Sequence, residues 1–252
     1  MSWTKQYQKA VAFSYDDGVY QDIRLVNLFN QYGLKCTFNL NSGLMNPDSV
    51  WYAEGVRVER MPPEGLPELY RGHEIASHLT KHDNPLHLDS HMLYEDIMQD
   101  KAALEDLFGT KISGLAYPFG ATDKRVQDVV KYCGIRYARG VQSTHSFEPP
   151  ANLLNISPTC RHKEENIFAL AEQFIQMQPD RPQIFLLWGH SYEFDMQDGW
   201  ERFERFCDLI AGHDDIFYGT CGEIFNNAEF GIRNSECGMN VDGRVLFYSY
   251  KK

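Results

Sequence analysis

Strand-like apolar runs alternate with amphipathic helical segments along most of this chain, and that alternation constrains its fold more than any other feature. Strand candidates lie at 10–15, 35–40, 74–77, 112–117, 135–138, 153–156, 184–188 and 216–218. Helix candidates lie at 22–31, 66–70, 90–108, 123–132, 164–176 and 200–210, with a short one near Glu223. In the longest, Leu93, Ile97 and Leu104 recur near a 3.6-residue period. Repeated strand–helix alternation predicts a parallel sheet.

The 252 residues show no composition break and no Gly/Ser/Pro linker, which predicts a single domain over 1–252. At this length a distorted barrel of seven or eight β/α units, similar to a TIM barrel, is favoured over an open sheet. Two segments depart from the alternation. Residues 235–252 alternate loosely around Asp242-Gly243 and are predicted to form a short C-terminal β-hairpin. Residues 41–60 are expected to form a long irregular loop, and such loops usually serve function.

The charge balance excludes some partners. The net charge is −11, and no basic run is long enough to follow a phosphate backbone, so we expect no nucleic-acid partner. The first nine residues are polar and no stretch resembles a signal or a membrane span, so we expect a cytoplasmic protein without a membrane partner. The alternative is a secreted protein whose signal has been removed. Six cysteines without a CxxC pair fit reduced core residues. The oligomeric state is left open.

Two adjacent carboxylates follow the first predicted strand. Asp16 and Asp17 come directly after the apolar run 10–13 and its Ser-Tyr extension, and Gly18 follows them. Neighbouring like charges repel, so a bound cation would favour the ionised pair, with one carboxylate as a ligand and the other handling protons. The alternative interpretation is an ordinary Asp-Gly turn at a strand end.

Two histidines follow the third predicted strand at a spacing that suits one metal ion. His78 and His82 are four residues apart. Together with Asp17 they provide two imidazoles and one carboxylate, a set that suits Zn²⁺ and also Fe²⁺, Co²⁺ or Ni²⁺. The alternative is a pair of surface histidines in a chain that has nine.

Further polar or turn residues follow other predicted strands. Pro118-Phe119-Gly120 follows the fourth, Arg139 the fifth, and His190 the very apolar strand at 184–188. In a β/α barrel the C-terminal strand ends share one face, where active sites lie. Their joint placement therefore predicts a site, although each alone also fits a turn, a salt bridge or a structural histidine.

These motifs resemble, in order, those of the polysaccharide deacetylase family, also known as the NodB-homology or carbohydrate esterase family 4 group. Tyr15-Asp16-Asp17-Gly18 is similar to T/S-F-D-D-G, and His78–His82 to H-x-x-x-H. Tyr117–Gly120 resembles R-x-P-Y/F-G, and Trp188–His190 the late L-x-H motif. The resemblance implies a distorted β/α barrel that hydrolyses an acetamide, or sometimes an acetyl ester, on an acetylated carbohydrate with the help of a divalent metal, most often Zn²⁺.

The resemblance also implies a role for each matching residue. The metal ligands would be Asp17, His78 and His82. Asp16 would be the general base that takes a proton from the attacking water. The Phe119 backbone N–H would help to hold the oxyanion, and His190 would protonate the leaving group.

The chain departs from the family pattern at several positions. The arginine that orients the base in the family falls at Ala116, and we hypothesise that Arg139 reaches the same space. Trp188 replaces a frequent leucine, so we expect an acetyl pocket of a different shape. No D-x-x-D-W segment is present, and His162 is a weak candidate for that supporting role or for the site itself. Four aromatic residues could stack on sugar rings or serve packing: Trp51, Tyr52, Tyr192 and Trp200.

These departures leave other functions open. The same metal site could cleave a C–N bond outside sugars, as in cyclic ureides. A protein of another class, a catalytically weak carbohydrate-binding relative, could retain a vestigial site. A plain β/α scaffold without a site is the least favoured interpretation.

Overall fold

The computed structural model describes residues 2–46, 48–196 and 199–226. The predicted C-terminal hairpin at 235–252 lies outside the described residues. The described residues contain ten strands: β1 Lys9–Asp16, β2 Cys36–Leu40, β3 Val50–Ala53, β4 Val56–Glu59, β5 Glu74–Ser77, β6 Gly114–Ala116, β7 Tyr137–Arg139, β8 Cys160–Arg161, β9 Gln183–Gly189 and β10 Ile216–Tyr218. Within the same ranges seven α-helices accompany them: α1 Asp22–Gln31, α2 Leu66–Leu69, α3 Ser90–Phe108, α4 Lys124–Tyr132, α5 Ile167–Gln176, α6 Gly199–Ile210 and α7 Cys221–Phe225.

The main sheet is a curled parallel sheet, as the alternation predicts. Its strands follow the order β7-β6-β5-β2-β1-β9-β8, and β10 pairs with the first three residues of β1. Every residue of β1 and β9 is buried, which explains why both read as apolar runs without alternation. With helices around it, this sheet confirms the distorted β/α barrel. No helix in the described ranges combines the length and apolarity needed to span a membrane.

The strand predicted at 153–156 is present only as a single bridge. Ile156 pairs with Arg139, and its N–H donates to Ala138 O over 2.8 Å. Three residues later the Thr159 N–H donates to Leu186 O on β9 instead. The segment changes its pairing partner from β7 to β9 at Pro158, which has no N–H to donate. Its pairing with β7 is therefore too short to form a strand.

The prediction of an irregular loop at 41–60 is wrong, because this segment contains the antiparallel hairpin β3–β4. Its two-residue turn, Glu54-Gly55, has φ angles of 49° and 85°, as a type I′ turn requires. Glycine adopts that conformation freely, whereas glutamate seldom does. The Glu-Gly pair was therefore a weak turn signal in the sequence.

The longest helix begins and ends where the sequence predicts. Asp89 accepts hydrogen bonds from the backbone N–H groups of His91 and Met92, and Gly109 ends α3 in the left-handed region. The helix packs on β5, so it lies directly outside the loop that carries the predicted histidines.

Candidate active site

The candidate site lies at the C-terminal ends of the strands, in a cavity of about 770 Å³. The C-terminal ends of β1, β5 and β9, with the loop after β6, bring the predicted residues to it. Six predicted residues line this cavity: Asp16, Asp17, His78, His82, Phe119 and His190. Arg139 lies behind this lining, buried against Asp16.

Asp17, His78 and His82 converge as a group that can hold a metal ion. One potential ligand atom from each lies within 4.8 Å of those of the other two. His82 Nε2 is 4.0 Å from Asp17 Oδ1, and the two imidazole centroids are 4.8 Å apart. One carboxylate and two imidazoles form a donor set that suits a divalent cation such as Zn²⁺.

The hydrogen bonding of His78 also fits a ligand role. Its Nδ1 lies 2.8 Å from Ala116 O, so Nδ1 carries the proton and Nε2 retains a free lone pair. Burial lowers the pKa of His78 to about 4 and also lowers the pKa of His82. Both rings are therefore neutral at pH 7, and the neutral imidazole is the form that binds metals.

Helix α3 and the residues that follow β2 fix the loop that carries the two histidines. Asp100 accepts hydrogen bonds from Ser77 Oγ over 2.6 Å and from the Ser42 N–H over 2.8 Å. One turn earlier, Asp96 accepts from the Thr80 N–H over 2.9 Å. Asn41 Nδ2 donates to the His78 and Leu79 carbonyls. The loop is thus held by side chains on both sides of it.

Backbone strain concentrates at the same place. Asp17, His82 and Phe119 all adopt positive φ, at 86°, 59° and 59°. Such conformations are costly for residues other than glycine and accumulate at functional sites. The Phe119 ring packs edge-on against His82, with centroids 4.7 Å apart. A larger residue does not fit at position 120, because a Cβ on Gly120 would lie 2.5 Å from the Val141 side chain.

Asp16 is paired with Arg139. Arg139 Nη2 donates to Asp16 Oδ1, which also accepts from Asn39 Nδ2 over 2.8 Å. In the β6–β7 ladder Arg139 is the residue opposite Ala116, so the guanidinium comes from the neighbouring strand at the same level. Burial alone would raise the pKa of Asp16, but the charge and hydrogen bond of Arg139, together with His78 and His190, outweigh burial and lower that pKa. Asp16 is therefore ionised at neutral pH.

His190 is backed by Glu193, a residue that the sequence analysis missed. Glu193 Oε2 lies 3.6 Å from His190 Nδ1 and 3.1 Å from His162 Nε2. Burial alone would lower the pKa of His190, but Glu193 and Asp17 outweigh it and raise that pKa. The available signal was the i,i+3 spacing of His190 and Glu193, which a 3₁₀-helix at Ser191–Asp195 brings together.

His162 lies behind the cavity rather than in it. Its Nδ1 is 3.1 Å from the Tyr15 hydroxyl, and its ring stacks on Tyr15 and Phe194. It therefore supports Glu193 from the far side. A Cβ at Gly189 would lie 2.0 Å from His162 Nδ1, so only glycine leaves room for this ring.

The aromatic side chains divide between the cavity and the core. Trp51 and Tyr192 line the cavity with ring centroids 5.7 Å apart. Trp188 lies between two guanidinium groups, 4.9 Å from that of Arg139 and 5.2 Å from that of Arg161. Trp200 is buried against Phe194 and does not line the cavity.

A second residue that the sequence analysis missed is Arg60, which follows β4. Its Nη2 donates to Asp17 Oδ1 over 2.7 Å, and its guanidinium stacks on Trp51 at 4.6 Å. No local pattern pointed to it, because its contact with Asp17 depends on how the hairpin packs against the first loop.

A parallel β/α barrel whose strand ends gather a carboxylate pair and three histidines defines a hydrolase-like site. The family model for polysaccharide deacetylases matches residues 4–138, more than half of the chain, and the protein belongs to this family. No curated protein matches the chain.

Solved structures resemble the chain in fold. A putative polysaccharide deacetylase from Mycobacterium smegmatis is 16% identical, with a TM-score of 0.64 over 98% of both chains. The Streptococcus pyogenes deacetylase PplD, solved with acetate, is 16% identical, with a TM-score of 0.50 over 57% of this chain and 61% of that one. BA3943, a family 4 pseudoenzyme from Bacillus anthracis, is 14% identical, with a TM-score of 0.53 over 87% and 66%.

Proposed function

We propose that this protein is a metal-dependent hydrolase that removes an acetyl group from an acetylated carbohydrate. The observation that carries the proposal is the convergence of Asp17, His78 and His82 on one point, with Asp16 and His190 beside it. His190 Nε2 lies 3.9 Å from Asp17 Oδ2. A candidate base and a candidate acid thus flank one candidate metal site.

The metal site supplies the first part of the chemistry. Asp17, His78 and His82 would hold the ion, and Zn²⁺ is the best match to the donor set. When bound, a divalent cation supplies Lewis acidity toward the acetyl carbonyl and toward the attacking water. The fit rests on two neutral, oriented imidazoles and a buried carboxylate.

Proton transfers are the task of the two groups beside that site. Asp16 accepts the proton of water as the oxygen attacks the acetyl carbon, and Arg139 and Asn39 hold its carboxylate in place. His190 donates a proton to the sugar nitrogen or oxygen as its bond to the acetyl carbon breaks, so acetate and the free sugar result. The environments of Asp16 and His190 move their pKa values apart, as an acid–base pair requires.

The developing oxyanion needs a fixed donor. The strained 3₁₀ turn at Pro118–Gly120 would present the Phe119 N–H to it. Trp51 and Tyr192 provide aromatic surfaces at the cavity rim on which a sugar ring can stack. The aromatic surfaces favour a carbohydrate substrate, whereas the N–H donor would serve hydrolysis of any acyl group.

The direct experiment measures acetate release. The protein is stripped with a chelator, reloaded with Zn²⁺ or Co²⁺, and incubated with N-acetylated chito-oligosaccharides and O-acetylated xylo-oligosaccharides. We expect metal-dependent acetate release that Asp16→Asn lowers by at least two orders of magnitude. The exposed Asp106→Asn on α3 is the matched control and should keep full activity.

The experiment also separates the alternatives. Stoichiometric metal without acetate release from either sugar would favour cleavage of a C–N bond outside carbohydrates. Sugar binding without bound metal or turnover would indicate a weak relative of the pseudoenzyme type.

A further inference from the structure

We propose that Arg60 is a resident counter-cation of Asp17, which stabilises the metal-free site and lowers its affinity for the metal ion. The proposal rests on the metal site of the proposed function and adds a residue outside the motifs that define it. Its consequence is a site that binds its ion less tightly than an Asp-His-His set alone would.

The contact between the two residues is buried and charged. Arg60 Nη2 lies 2.7 Å from Asp17 Oδ1, and the two side chains are only 10% and 6% exposed. The same oxygen is the one nearest to His82 Nε2, at 4.0 Å. Arg60 therefore donates to the side of the carboxylate that faces a candidate metal ligand.

The guanidinium is held from several directions. The Trp51 ring covers one face at 4.6 Å, and Asn41 Oδ1 lies 3.4 Å from Nη2. Arg60 Nε is buried and has no hydrogen-bond partner among the described residues. The hydrogen bonds that hold the guanidinium are therefore those that Nη2 donates to Asp17 and Asn41.

The backbone around Arg60 is tied to the loop that carries Asp17. Arg60 forms an antiparallel bridge with Val19. The Met61 N–H donates to Gly18 O over 3.0 Å, and the Tyr20 N–H donates to Glu59 O over 3.1 Å. These contacts fix the backbone of Arg60 relative to the loop that carries Asp17, so the guanidinium starts from a position beside this carboxylate.

Two electrostatic consequences follow. If both the ion and Arg60 were absent, Asp17 would be a buried charge without a cation, which strongly destabilises a folded protein. In the metal-free protein Arg60 supplies that cation and so stabilises the fold. When an ion is bound, the positive guanidinium lies a few ångströms from the positive ion in a poorly screened cavity and repels it. The guanidinium also competes with the ion for the negative charge of the Asp17 carboxylate. Arg60 therefore stabilises the apo-protein and opposes metal binding.

The test is a metal titration of Arg60→Met, which keeps an unbranched apolar stem at this position and removes the guanidinium with its charge. Zn²⁺ affinity is measured by competition with a chromophoric chelator, and Tm is measured for the stripped and the loaded protein. We expect Zn²⁺ to bind at least tenfold more tightly to Arg60→Met. We also expect a lower Tm for the stripped variant and a larger rise in Tm on loading than in the wild type.

Two further variants serve as controls. Arg57→Met removes the other arginine of the hairpin, which is 56% exposed and paired with Glu59, and should change neither Zn²⁺ affinity nor the rise in Tm. Arg60→Lys keeps the charge and should keep the wild-type affinity. A Lys variant that binds as tightly as Arg60→Met would show that charge is not the cause, and would overturn the proposal.

The other outcomes separate this proposal from the proposed function. Equal or weaker Zn²⁺ binding by Arg60→Met would mean that Arg60 only orients Asp17, and would overturn the counter-cation role while leaving the metal site intact. If neither the wild type nor the variant binds Zn²⁺, the metal site itself is wrong and the role of Arg60 falls with it.

Discussion

Arg139, at the end of β7, donates hydrogen bonds to β1 through the carboxylate of Asp16 and, over 2.9 Å, through Ser14 Oγ. Four places in the strand order separate β7 from β1, so the side chain crosses the barrel interior. The family pattern has its arginine at the position of Ala116, directly opposite Arg139 in the β6–β7 ladder. In this chain the arginine therefore lies on β7 instead of β6, and its charge still lies beside the carboxylate of Asp16.

Replacing Arg139 by methionine tests this relationship. We expect kcat to fall by at least tenfold, and the acidic limb of the pH–rate profile to move to higher pH because Asp16 loses the cation that lowers its pKa. The exposed Arg205→Met is the matched control. Activity and pH profile are measured on metal-loaded protein.

Stability provides an independent check on the same pair. Arg139→Met leaves Asp16 buried without its cation and should lower the free energy of unfolding by about 3–5 kcal/mol. Adding Asp16→Asn should recover part of that loss, as measured by urea unfolding. A double variant less stable than Arg139→Met alone would contradict a buried charge pair.

Glu193→Gln tests the support of His190. Removing this charge should lower the pKa of His190, so the alkaline limb of kcat/KM should shift to lower pH. KM for the sugar should change little, because Glu193 contacts His190 and His162 and stands behind the rim aromatics. Glu172→Gln, exposed on α5, is the control, and an unmoved alkaline limb would count against the positioning role.

Asp22 should make the protein less stable as pH rises. Burial raises its pKa to about 7, above the value of about 3.9 expected in the unfolded chain. The folded state therefore binds more protons between these values, and stability should fall from about pH 4 to pH 7. Asp22→Asn can keep contacts with Tyr70 and Ser191 and should flatten that slope in urea unfolding across pH.

Gly189→Ala should be far more harmful than Gly140→Ala. A Cβ at Gly189 meets His162 Nδ1 at 2.0 Å, whereas the nearest atoms at Gly140 are 3.8 Å away. We expect Gly189→Ala to cost about 1–3 kcal/mol of stability through overpacking, with a loss of activity as His162 moves from Glu193. Thermal unfolding and acetate release measure both effects, and equal behaviour of the two variants would refute the close fit.

Local patterns predicted much of the fold. The predicted bounds of α1, α3 and β5 agree with the structure, and in α3 an apolar repeat, the cap at Asp89 and Gly109 mark them. The segment 153–156 was harder, because Ile156 pairs with a distant strand for one residue only. The hairpin at 50–59 was missed because its turn uses Glu54 in a left-handed conformation.

The candidate site likewise contains residues that the sequence predicted and residues that it did not. Asp17, His78 and His82 stand in short motifs at strand ends, so their convergence followed from the barrel alone. Arg60 and Glu193 were not recognised, because one depends on hairpin packing and the other on a 3₁₀ turn. Residues that support a site through contacts distant in sequence leave no local trace.

The hold of α3 on the histidine loop links the outside of the barrel to its chemistry. Asp96 and Asp100, one helical turn apart, fix where His78 and His82 stand, although neither reaches the cavity. A laboratory selection for activity would therefore recover compensating mutations on this outer helix, far from the substrate. Exchange of α3 between homologues would therefore change how the two histidines are held.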